Sequence, residues 1–402
     1  MKVNIVSSEN IYAGALDFDS TKKTLVVCGD KKKFHEIQLI IASGGVADLA
    51  IPFLWDPLKL EKLEEYLISS KICSKSEDGL EICLLQNASQ SIQVTGHVDY
   101  KVTSNEQISI LLRQWDSFEM TSECLNSLLS TNYNHKRILL LDDASKDDSG
   151  LKLFFAYPSI HIVRTLNRLE YCNSFNFLAK YANDLGSEFI FIVNNDTSQF
   201  SPTIFEELIA HSDPSVGIIS SRVKDYSGNI IVKEDRKWLG IEFNIATEGY
   251  LIRLATWNKI GGFNPNLVRY TEDLDIVREM QKLGLGQKRV DTVYFDHLGN
   301  GSSSRQNFTP IYFAARNLVW IQKIYFPSGS RFGMVKKSAK KTWPGILKKN
   351  TVTRKRSMLT KLSYLILGLL RGALTNCQPR NPHADPYLVL FKPPMRFTQK
   401  LR

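Results

Sequence analysis

Four groups of polar side chains follow apolar segments in the middle of the chain. Residues 142–145 (DDAS) follow RILLL, and residues 194–197 (NNDT) follow EFIFIV. Residues 270–275 (YTEDLD) come soon after the glycine-rich turn at 261–265, and His297 comes shortly after VYF. Carboxylate and imidazole groups can bind cations and exchange protons, so these positions are candidates for a ligand site.

Each group by itself also has a structural explanation. Acids at 142–143 can cap a helix N-terminus, and residues 194–196 can form an Asx turn. An acid-rich segment such as 270–275 commonly begins a helix, and a lone histidine is more often structural than a ligand. The first two groups, however, lie about fifty residues apart and each ends an apolar strand, which favours a shared ligand site.

The segments between residues 105 and 196 predict how these groups are positioned. Apolar runs at 107–113, 136–141, 160–164 and 188–193 predict strands, while 119–131 and 174–185, with a shorter segment between them, predict helices. Continuously apolar strands are typical of a mostly parallel sheet that helices cover on both faces. Ligands of such sheets bind beyond the carboxyl ends of the strands, where 142–145 and 194–197 are expected.

The chain before and after this segment has other patterns. Residues 1–104 contain short apolar runs between turn residues (TLVVCG, EIQLIIASGG, LEICLLQ, SIQVTG), which predict a β-rich accessory domain. Apolar segments at 308–325 and 361–374 predict helices. We therefore predict three domains, at 1–104, 105–325 and 326–402.

Composition bounds the class of protein. A chain of 402 residues suggests two or three domains, and 43% hydrophobic residues are enough to bury sizeable cores. The six cysteines form no CxxC pair, which is typical of a reduced, cytosolic compartment. The beginning, MKVNIVSSEN, lacks the apolar run of a signal peptide, so we expect none.

Charge is distributed unevenly along the chain. Residues 331–402 hold 17 Lys and Arg and one acidic residue, a net charge of +16, whereas the remaining 330 residues carry a net charge of −6. This asymmetry predicts an anionic partner for the tail, either a lipid surface or a nucleic acid. The sequence contains no helix-turn-helix, zinc-finger or RNA-binding aromatic pattern, so we predict no nucleic-acid partner.

The tail also contains an apolar run at residues 362–370. Nine residues are too few to cross a bilayer, which needs about 20. Because lysines and arginines precede this run, it is typical of a segment that lies on an anionic leaflet. The alternative is a solvated basic helix packed on the body of the protein.

The ordered set of motifs resembles the inverting family 2 glycosyltransferases, in particular the rhamnosyl- and galactofuranosyl-type enzymes of bacterial surface polysaccharide synthesis. The family's "CLxSLL" helix is matched at 124–129, its "DDxS" at 142–145 and its metal motif, DxD or NND, at 194–196. Its "GGF…Y.ED.D" is matched at 261–275, its later histidine at His297 and its "RN" pair at 316–317. The resemblance covers about residues 107–320 and implies a GT-A fold, a Rossmann-like α/β core.

The resemblance implies a role for each group in binding the donor. Asp142, Asp143, Asn195 and Asp196 would bind the nucleotide of a UDP- or dTDP-sugar. Asp196 and His297 would hold a divalent metal, Mg²⁺ or Mn²⁺, which bridges the donor diphosphate and neutralises the growing charge of the leaving group.

The resemblance also implies the catalytic base. Asp273 would deprotonate the acceptor hydroxyl, and a single carboxylate suffices because inversion forms no covalent intermediate. Glu272 or Asp275 could take that role instead of Asp273. Glu272 and Arg316 are candidates for contacts with the acceptor or the diphosphate.

The implied protein is a metal-assisted transferase with a glycan or polyprenyl-linked glycan acceptor. Its basic tail would attach it to the inner face of the cell membrane, so it would be cytoplasmic and peripheral. A nucleotidyltransferase is a rival class, but the basic, glycine-rich triphosphate loop that it needs is not present in the sequence. A degenerate transferase that binds glycans or acts as a scaffold is a second rival, and the presence of Asp196 and Asp273 argues against it.

Overall fold

The computed structural model describes residues 108–378 with gaps, together with Arg380 and six strands between residues 3 and 82. The gaps are residues 148, 158–159, 166–167, 226, 231–235, 239–240, 299–308 and 348–355. Along these parts the chain forms first strands, then a mixed α/β region and finally three long helices.

The first six strands form two small sheets. Their bounds are Val3–Val6 (β1), Leu25–Cys28 (β2), Ile37–Ile41 (β3), Leu49–Phe53 (β4), Cys73–Ser76 (β5) and Gly79–Ile82 (β6). The first four pair in chain order, and β5 pairs with β6. Strands β2 and β3 lie within two of the predicted apolar runs and β6 overlaps a third, whereas the strand expected at 91–96 lies outside the described residues. The three domain boundaries stay predictions.

An eight-stranded sheet forms the centre of the fold. Its strands are β7 (Ile108–Gln114), β8 (Lys136–Asp142), β9 (His161–Arg164), β10 (Phe189–Asn194), β11 (Thr197–Ser198), β12 (Val216–Lys224), β15 (Gly249–Arg253) and β16 (Gly286–His297). A separate hairpin consists of β13 (Arg236–Trp238) and β14 (Ile241–Phe243).

The order across the large sheet is β11-β16-β12-β15-β10-β7-β8-β9. The strand pairs β10–β7, β7–β8, β8–β9 and β12–β16 are parallel, whereas β15 and β11 run antiparallel to their neighbours. The predicted α/β class with a mostly parallel sheet is therefore confirmed. Because β7, β8 and β10 are parallel neighbours, their carboxyl ends meet at one edge of the sheet.

Helices cover both faces of this sheet. Their bounds are Phe118–Leu129 (α1), Ser149–Ala156 (α2), Glu170–Asp184 (α3), Ile204–Ala210 (α4), Leu254–Ile260 (α5) and Glu272–Lys282 (α6). Alternate residues of β7 point to opposite faces, so Ile110 packs in the cluster with α1, α2 and α4, and Leu111 in the cluster with α3, α5 and α6. Burial on both sides is the physical reason for the uninterrupted apolar pattern of these strands.

Three helices follow, with bounds Thr309–Tyr325 (α7), Arg331–Leu347 (α8) and Arg356–Leu374 (α9). Helix α9 packs against α7 through Gly368 and Gly372, because a Cβ at either position would overlap the α7 backbone. Met334 of α8 and Leu365 of α9 share one apolar cluster with Val319 of α7. The predicted basic tail is thus helical, and its described helices are packed onto α7.

Within the described residues, every helix is either too short or too polar to cross a membrane.

Candidate active site

Asp142 ends β8, and its side chain is fully buried. Its Oδ1 accepts a hydrogen bond of 2.6 Å from the carboxamide of Gln114, the last residue of β7, and another from the Ser145 hydroxyl. A side chain at Gly150 in α2 would overlap the other oxygen of Asp142, so only glycine fits there. The carboxylate therefore ties the ends of two neighbouring strands to the start of α2.

Asp143 is also fully buried and organises the start of α3. It accepts hydrogen bonds from the backbone N–H groups of Leu169 at 2.6 Å and Glu170 at 3.1 Å, and the Nε of Arg113 lies 2.9 Å away. The first N–H groups of a helix lack partners within the helix, and a carboxylate satisfies them. Both acids of the DDAS group thus shape the strand ends, and their contacts with a nucleotide stay a prediction.

Three arginines and two carboxylates form a cluster around the start of α3. Glu170 lies 3.4 Å from the Nη2 of Arg168 and 3.8 Å from the Nε of Arg269, and the Nε of Arg168 lies 3.9 Å from Asp143. Arg113 pairs with Asp143. Although burial opposes ionisation of Glu170, the arginines hold its pKa below the ordinary value. The excess of positive charge suits an anionic ligand.

The Arg168 guanidinium also lies over the ring of Trp115, 3.8 Å from its centroid. Trp115 directly follows β7, so this flat pair stands at the carboxyl edge of the sheet. An arginine stacked on an indole presents flat surfaces and N–H donors together. Such a pair is suited to contact a planar, polar ligand.

The NND group begins at Asn194, the last residue of β10, and approaches β16. The Nδ2 of Asn195 donates a hydrogen bond of 2.9 Å to the Thr121 hydroxyl of α1. The Oδ2 of Asp196 lies 3.3 Å from the Nε2 of His297, and both side chains are partly exposed. Pairing of β11 with β16 sets Thr197 opposite His297 and thereby brings these two distant parts of the chain together. The structure thus places the two predicted metal ligands side by side.

The chemistry of this pair fits a divalent cation. A carboxylate oxygen and an imidazole nitrogen are ligands that Mn²⁺ accepts, and Mg²⁺ prefers oxygen ligands and keeps several waters. Within the part of the chain that the structure describes, no three His, Cys, Asp or Glu side chains converge on a common point. Asp196 and His297 are therefore the two candidate protein ligands, and a phosphate or water would complete the coordination.

The backbone before α6 is strained. Val268, Tyr270 and Thr271 have φ angles of +70°, +64° and +68°. Residues other than glycine seldom adopt this region, and each such residue costs about 1–3 kcal/mol. Such strain persists only where surrounding contacts enforce it, and here it sets the entry of the chain into the acidic first turn of α6.

The side chain of Asn317 in α7 supplies those contacts. It is fully buried, and its Nδ2 lies 2.9 Å from the carbonyl oxygens of Leu267 and Arg269 and 2.8 Å from that of Tyr270. One carboxamide therefore fixes the direction of three carbonyls along the strained turn.

Arg316, predicted to contact the acceptor or the diphosphate, faces the same turn. Its Nη2 donates hydrogen bonds of 3.0 Å to the carbonyl oxygens of Asn266 and Leu267, and its guanidinium lies 4.1 Å from the Trp320 ring centroid. Burial lowers the pKa of Arg316 to about 10. The geometry gives Arg316 a structural role, and its contact with a ligand stays a prediction.

Three acids lie in the first turn of α6, and they differ in their surroundings. Asp275 is buried, forms an ion pair with Arg380 and accepts a hydrogen bond of 2.6 Å from the Tyr325 hydroxyl. Glu272 and Asp273 are only partly buried, and the Leu274 N–H donates to Asp273 at 2.8 Å. Of the three alternatives for the base, the structure therefore favours Glu272 and Asp273 over Asp275.

The surroundings of Glu272 disfavour its charged form. Burial, together with the neighbouring charge of Asp273, raises the pKa of Glu272 to about 8. Its Oε2 atom is buried and makes no hydrogen bond within the described part of the chain. Both effects favour the protonated form of Glu272.

Tyr171 connects the two halves of the site. Its hydroxyl lies 3.4 Å from the Oδ1 of Asn194, at the end of β10. Burial raises the pKa of Tyr171 well above its ordinary value, and the charges of Glu272 and Asp273 add to this effect. Tyr171 therefore lies near both the end of β10 and the acidic start of α6.

Residues 115–280 match the family model described as Glycosyl transferase family 2. The match runs from the end of β7 into α6 and includes the DDAS, NND and YTEDLD groups. The match covers less than half of the chain. With the mostly parallel sheet, it supports a glycosyltransferase domain of GT-A fold in this segment, because residues 115–280 are similar to the family 2 enzymes.

Solved structures of other glycosyltransferases resemble the chain at low sequence identity. The mannosyltransferase PcManGT from Pyrobaculum calidifontis, in complex with GDP-Man and Mn²⁺, is 13% identical, with a TM-score of 0.45 over 67% of this chain and 88% of its own. TarS 1–349 from S. aureus is 14% identical, with a TM-score of 0.44 over 65% of this chain and 81% of its own. Comparison with curated proteins finds no match.

Sequence reasoning did not assign several residues of this site. Tyr171, Arg269 and Asn317 received no role of their own, and Arg168 was not recognised as a partner of Trp115. Arg380 lies about a hundred residues from Asp275, so spacing could not join them. Charge was the one signal in the sequence that could have indicated these residues. Arginines near acids at predicted strand ends indicate buried ion pairs, but they do not show which arginine pairs with which acid.

The ion pair between Arg380 and Asp275 gives a first prediction. Arg380→Ala should lower the free energy of unfolding by about 3–5 kcal/mol, because it leaves a buried carboxylate without its cation. Chemical denaturation followed by circular dichroism measures the change. Arg222→Ala is the matched control, since its partner Asp291 is exposed and the pair should contribute little. An equally small loss in both variants would contradict the prediction.

The raised pKa of Glu272 gives a second prediction. Between its ordinary value of 4.5 and about 8, the folded protein binds more protons than the unfolded chain, so stability falls as pH rises through this window. Glu272→Gln removes this titration. Relative to wild type, the variant should therefore gain stability between pH 5 and pH 8 in thermal denaturation. The exposed Glu119→Gln serves as the control, and a Glu272→Gln variant that gains no more than this control refutes the desolvation of Glu272.

Proposed function

We propose that the protein is an inverting, metal-assisted transferase of the rhamnosyl or galactofuranosyl type. It would move a sugar from a nucleoside-diphosphate sugar to a hydroxyl of a glycan or polyprenyl-linked glycan, in the synthesis of a bacterial surface polysaccharide. One observation carries the proposal: Asp196 and His297, from distant parts of the chain, lie 3.3 Å apart at the end of the central sheet.

The nucleotide of a UDP- or dTDP-sugar would lie beyond the ends of β7 and β8. Trp115 and Arg168 offer a stacked pair there, and Asp142 and Asp143 hold the loops around it. Arg168 and Arg269 contribute the excess of positive charge in this cluster, which would attract the donor phosphates. These arginines fit that role better than Arg316, whose guanidinium donates to protein carbonyls.

The diphosphate would approach Asp196 and His297. A divalent cation held by these two side chains would neutralise the charge that develops on the departing nucleoside diphosphate. Asn195, bonded to Thr121, keeps the loop that carries Asp196 against α1. The loop is thereby ordered before the donor binds.

Asp273 would act as the general base. It would take the proton of the acceptor hydroxyl while the hydroxyl oxygen forms a bond to the anomeric carbon and the bond from that carbon to the diphosphate breaks. One displacement inverts the configuration and forms no covalent intermediate with the protein. Burial raises the pKa of Glu272 and so favours its protonated form, which would donate a hydrogen bond to the acceptor or the diphosphate.

The base assignment gives a third prediction. Asp273→Asn keeps the shape of the side chain but removes the proton acceptor, so turnover should fall by roughly 10²–10⁴-fold while donor affinity changes little. Transfer from a panel of UDP- and dTDP-sugars measures turnover, and Glu272→Gln is the matched comparison in the same helical turn. Normal turnover in Asp273→Asn together with loss in Glu272→Gln would move the role of base to Glu272.

The metal assignment gives a fourth prediction. Asp196→Ala should abolish the part of nucleotide binding that depends on Mg²⁺ or Mn²⁺, because one of two protein ligands is lost. Calorimetry with UDP and with dTDP, with and without chelator, measures this. Asp213→Ala is the control, since that exposed acid precedes β12 at the opposite edge of the sheet. Equal metal dependence in both variants would exclude Asp196 as a ligand.

A further inference from the structure

The outward side of α9 carries a row of exposed apolar side chains. The row consists of Leu359, Ile366, Leu367, Leu370 and Leu374, which are 45% to 79% exposed. Their spacing places them on one side of the helix, opposite the residues that pack on α7. We name these five residues the outer row.

A row of this kind, in which the exposed Ser363 lies between Leu359 and Ile366, is unusual on a water-facing helix. Helices at the surface of globular proteins present polar side chains to solvent, and exposed apolar residues normally occur singly. The outer row extends over four turns of α9, a length of roughly 22 Å. An apolar strip of this length indicates a surface that binds a partner.

The helix beside it shows the chemistry of that partner. Lys336, Lys337, Lys340 and Lys341 of α8 are exposed, and Trp343, also exposed, lies on the same side as Lys336 and Lys340. The sequence contains no acidic residue between Asp296 and Asp385. The partner must therefore accept apolar side chains and many positive charges at once.

We propose that α8 and α9 form a surface that docks on an anionic lipid leaflet. The outer row would enter the boundary between headgroups and acyl chains, and the lysines of α8 would contact lipid phosphates. A second copy of this chain fits less well, because it would bring two basic surfaces together. The contact is interfacial, since α9 does not meet the requirements for crossing a bilayer.

This surface is independent of the transferase chemistry. Lipid binding can be measured without donor or acceptor, so its failure would leave the proposed reaction untouched. Likewise, an inactive enzyme that binds lipid would support the surface and contradict the reaction.

The test is co-sedimentation of the full chain with two kinds of liposome. One kind is neutral, and in the other about one third of the lipid is anionic. We expect binding to the anionic liposomes to be tight at low salt and weaker at high salt, with a salt-resistant remainder from the outer row. Failure to bind anionic liposomes, or equal binding to both kinds, overturns the proposal.

Matched variants separate the apolar from the basic contribution. Leu367→Ser with Leu370→Ser should weaken binding by about tenfold or more, whereas Leu129→Ser with Leu283→Ser, two exposed leucines elsewhere, should not. Glutamine at the four α8 lysines should weaken binding more than glutamine at four exposed lysines elsewhere, Lys146, Lys152, Lys259 and Lys288. The proposal is overturned if the two leucine variants bind liposomes equally well, or if the two lysine variants do.

Two further measurements keep the proposal testable if a leucine variant folds poorly. Brominated lipids should quench the fluorescence of Trp343 if this side chain lies at the lipid interface. The quenched part of the fluorescence should be absent in the Trp343→Phe variant. Light scattering gives the oligomeric state, and a dimer that dissociates in the Leu367→Ser, Leu370→Ser variant would show a contact between copies and overturn the proposal. RNA at equal charge could also compete with the liposomes for the protein. If RNA displaces them and the outer-row variant binds RNA as well as wild type does, the proposal is overturned.

Discussion

The hydrogen bonds of the Asn317 carboxamide are the contact on which the rest of the site depends. Three residues before α6 hold φ angles that cost about 1–3 kcal/mol each, which together approach the whole stability of many domains. Asn317 binds three carbonyls along this turn from a fully buried position. Without it the turn would relax, and Glu272 and Asp273 would point elsewhere.

That dependence extends to the C-terminal helices. Asn317 can hold the turn only if α7 is fixed, and α9 fixes it by close packing at Gly368 and Gly372. Beyond α9 the chain returns to the body: Trp320 donates to the Thr375 carbonyl at 3.1 Å, and Arg380 pairs with Asp275 in α6. The residues after the matched segment therefore support the strained turn before α6. A surface on α9 that docks on lipid would also place this support next to the membrane.

Buried charge organises the opposite half of the site. Asp142 and Asp143 accept hydrogen bonds from Gln114, Ser145 and the first N–H groups of α3, so their lone pairs stabilise the strand ends. A buried carboxylate is costly without such donors. Arg113, Arg168 and Arg269 outnumber the two carboxylates with which they pair, Asp143 and Glu170. If the donor phosphates bind at this cluster, the charges that order the loops would also bind the ligand.

The sequence by itself determined four of the eight strands of the central sheet and the acidic motifs. Strands buried on both faces must be apolar throughout, so β7, β8, β9 and β10 could be located from their composition. The rule that ligands bind beyond carboxyl strand ends then located DDAS and NND, and α6 followed from its acid-rich beginning. These inferences needed only the local sequence pattern, because the pattern of apolar and polar residues in each element reflects which of its faces are buried.

Only the tertiary structure decided which of those residues meet. It set His297 against Asp196 through the pairing of β11 with β16, and it enclosed Asp275 with Arg380 while leaving Glu272 and Asp273 partly open. It also assigned Arg316 and Asn317 to the strained turn and turned the outer row of α9 away from the core. The physical reason is that an ion pair or a hydrogen bond depends on distance in space. A side chain's type shows that it needs a partner, but the packing of distant segments selects that partner.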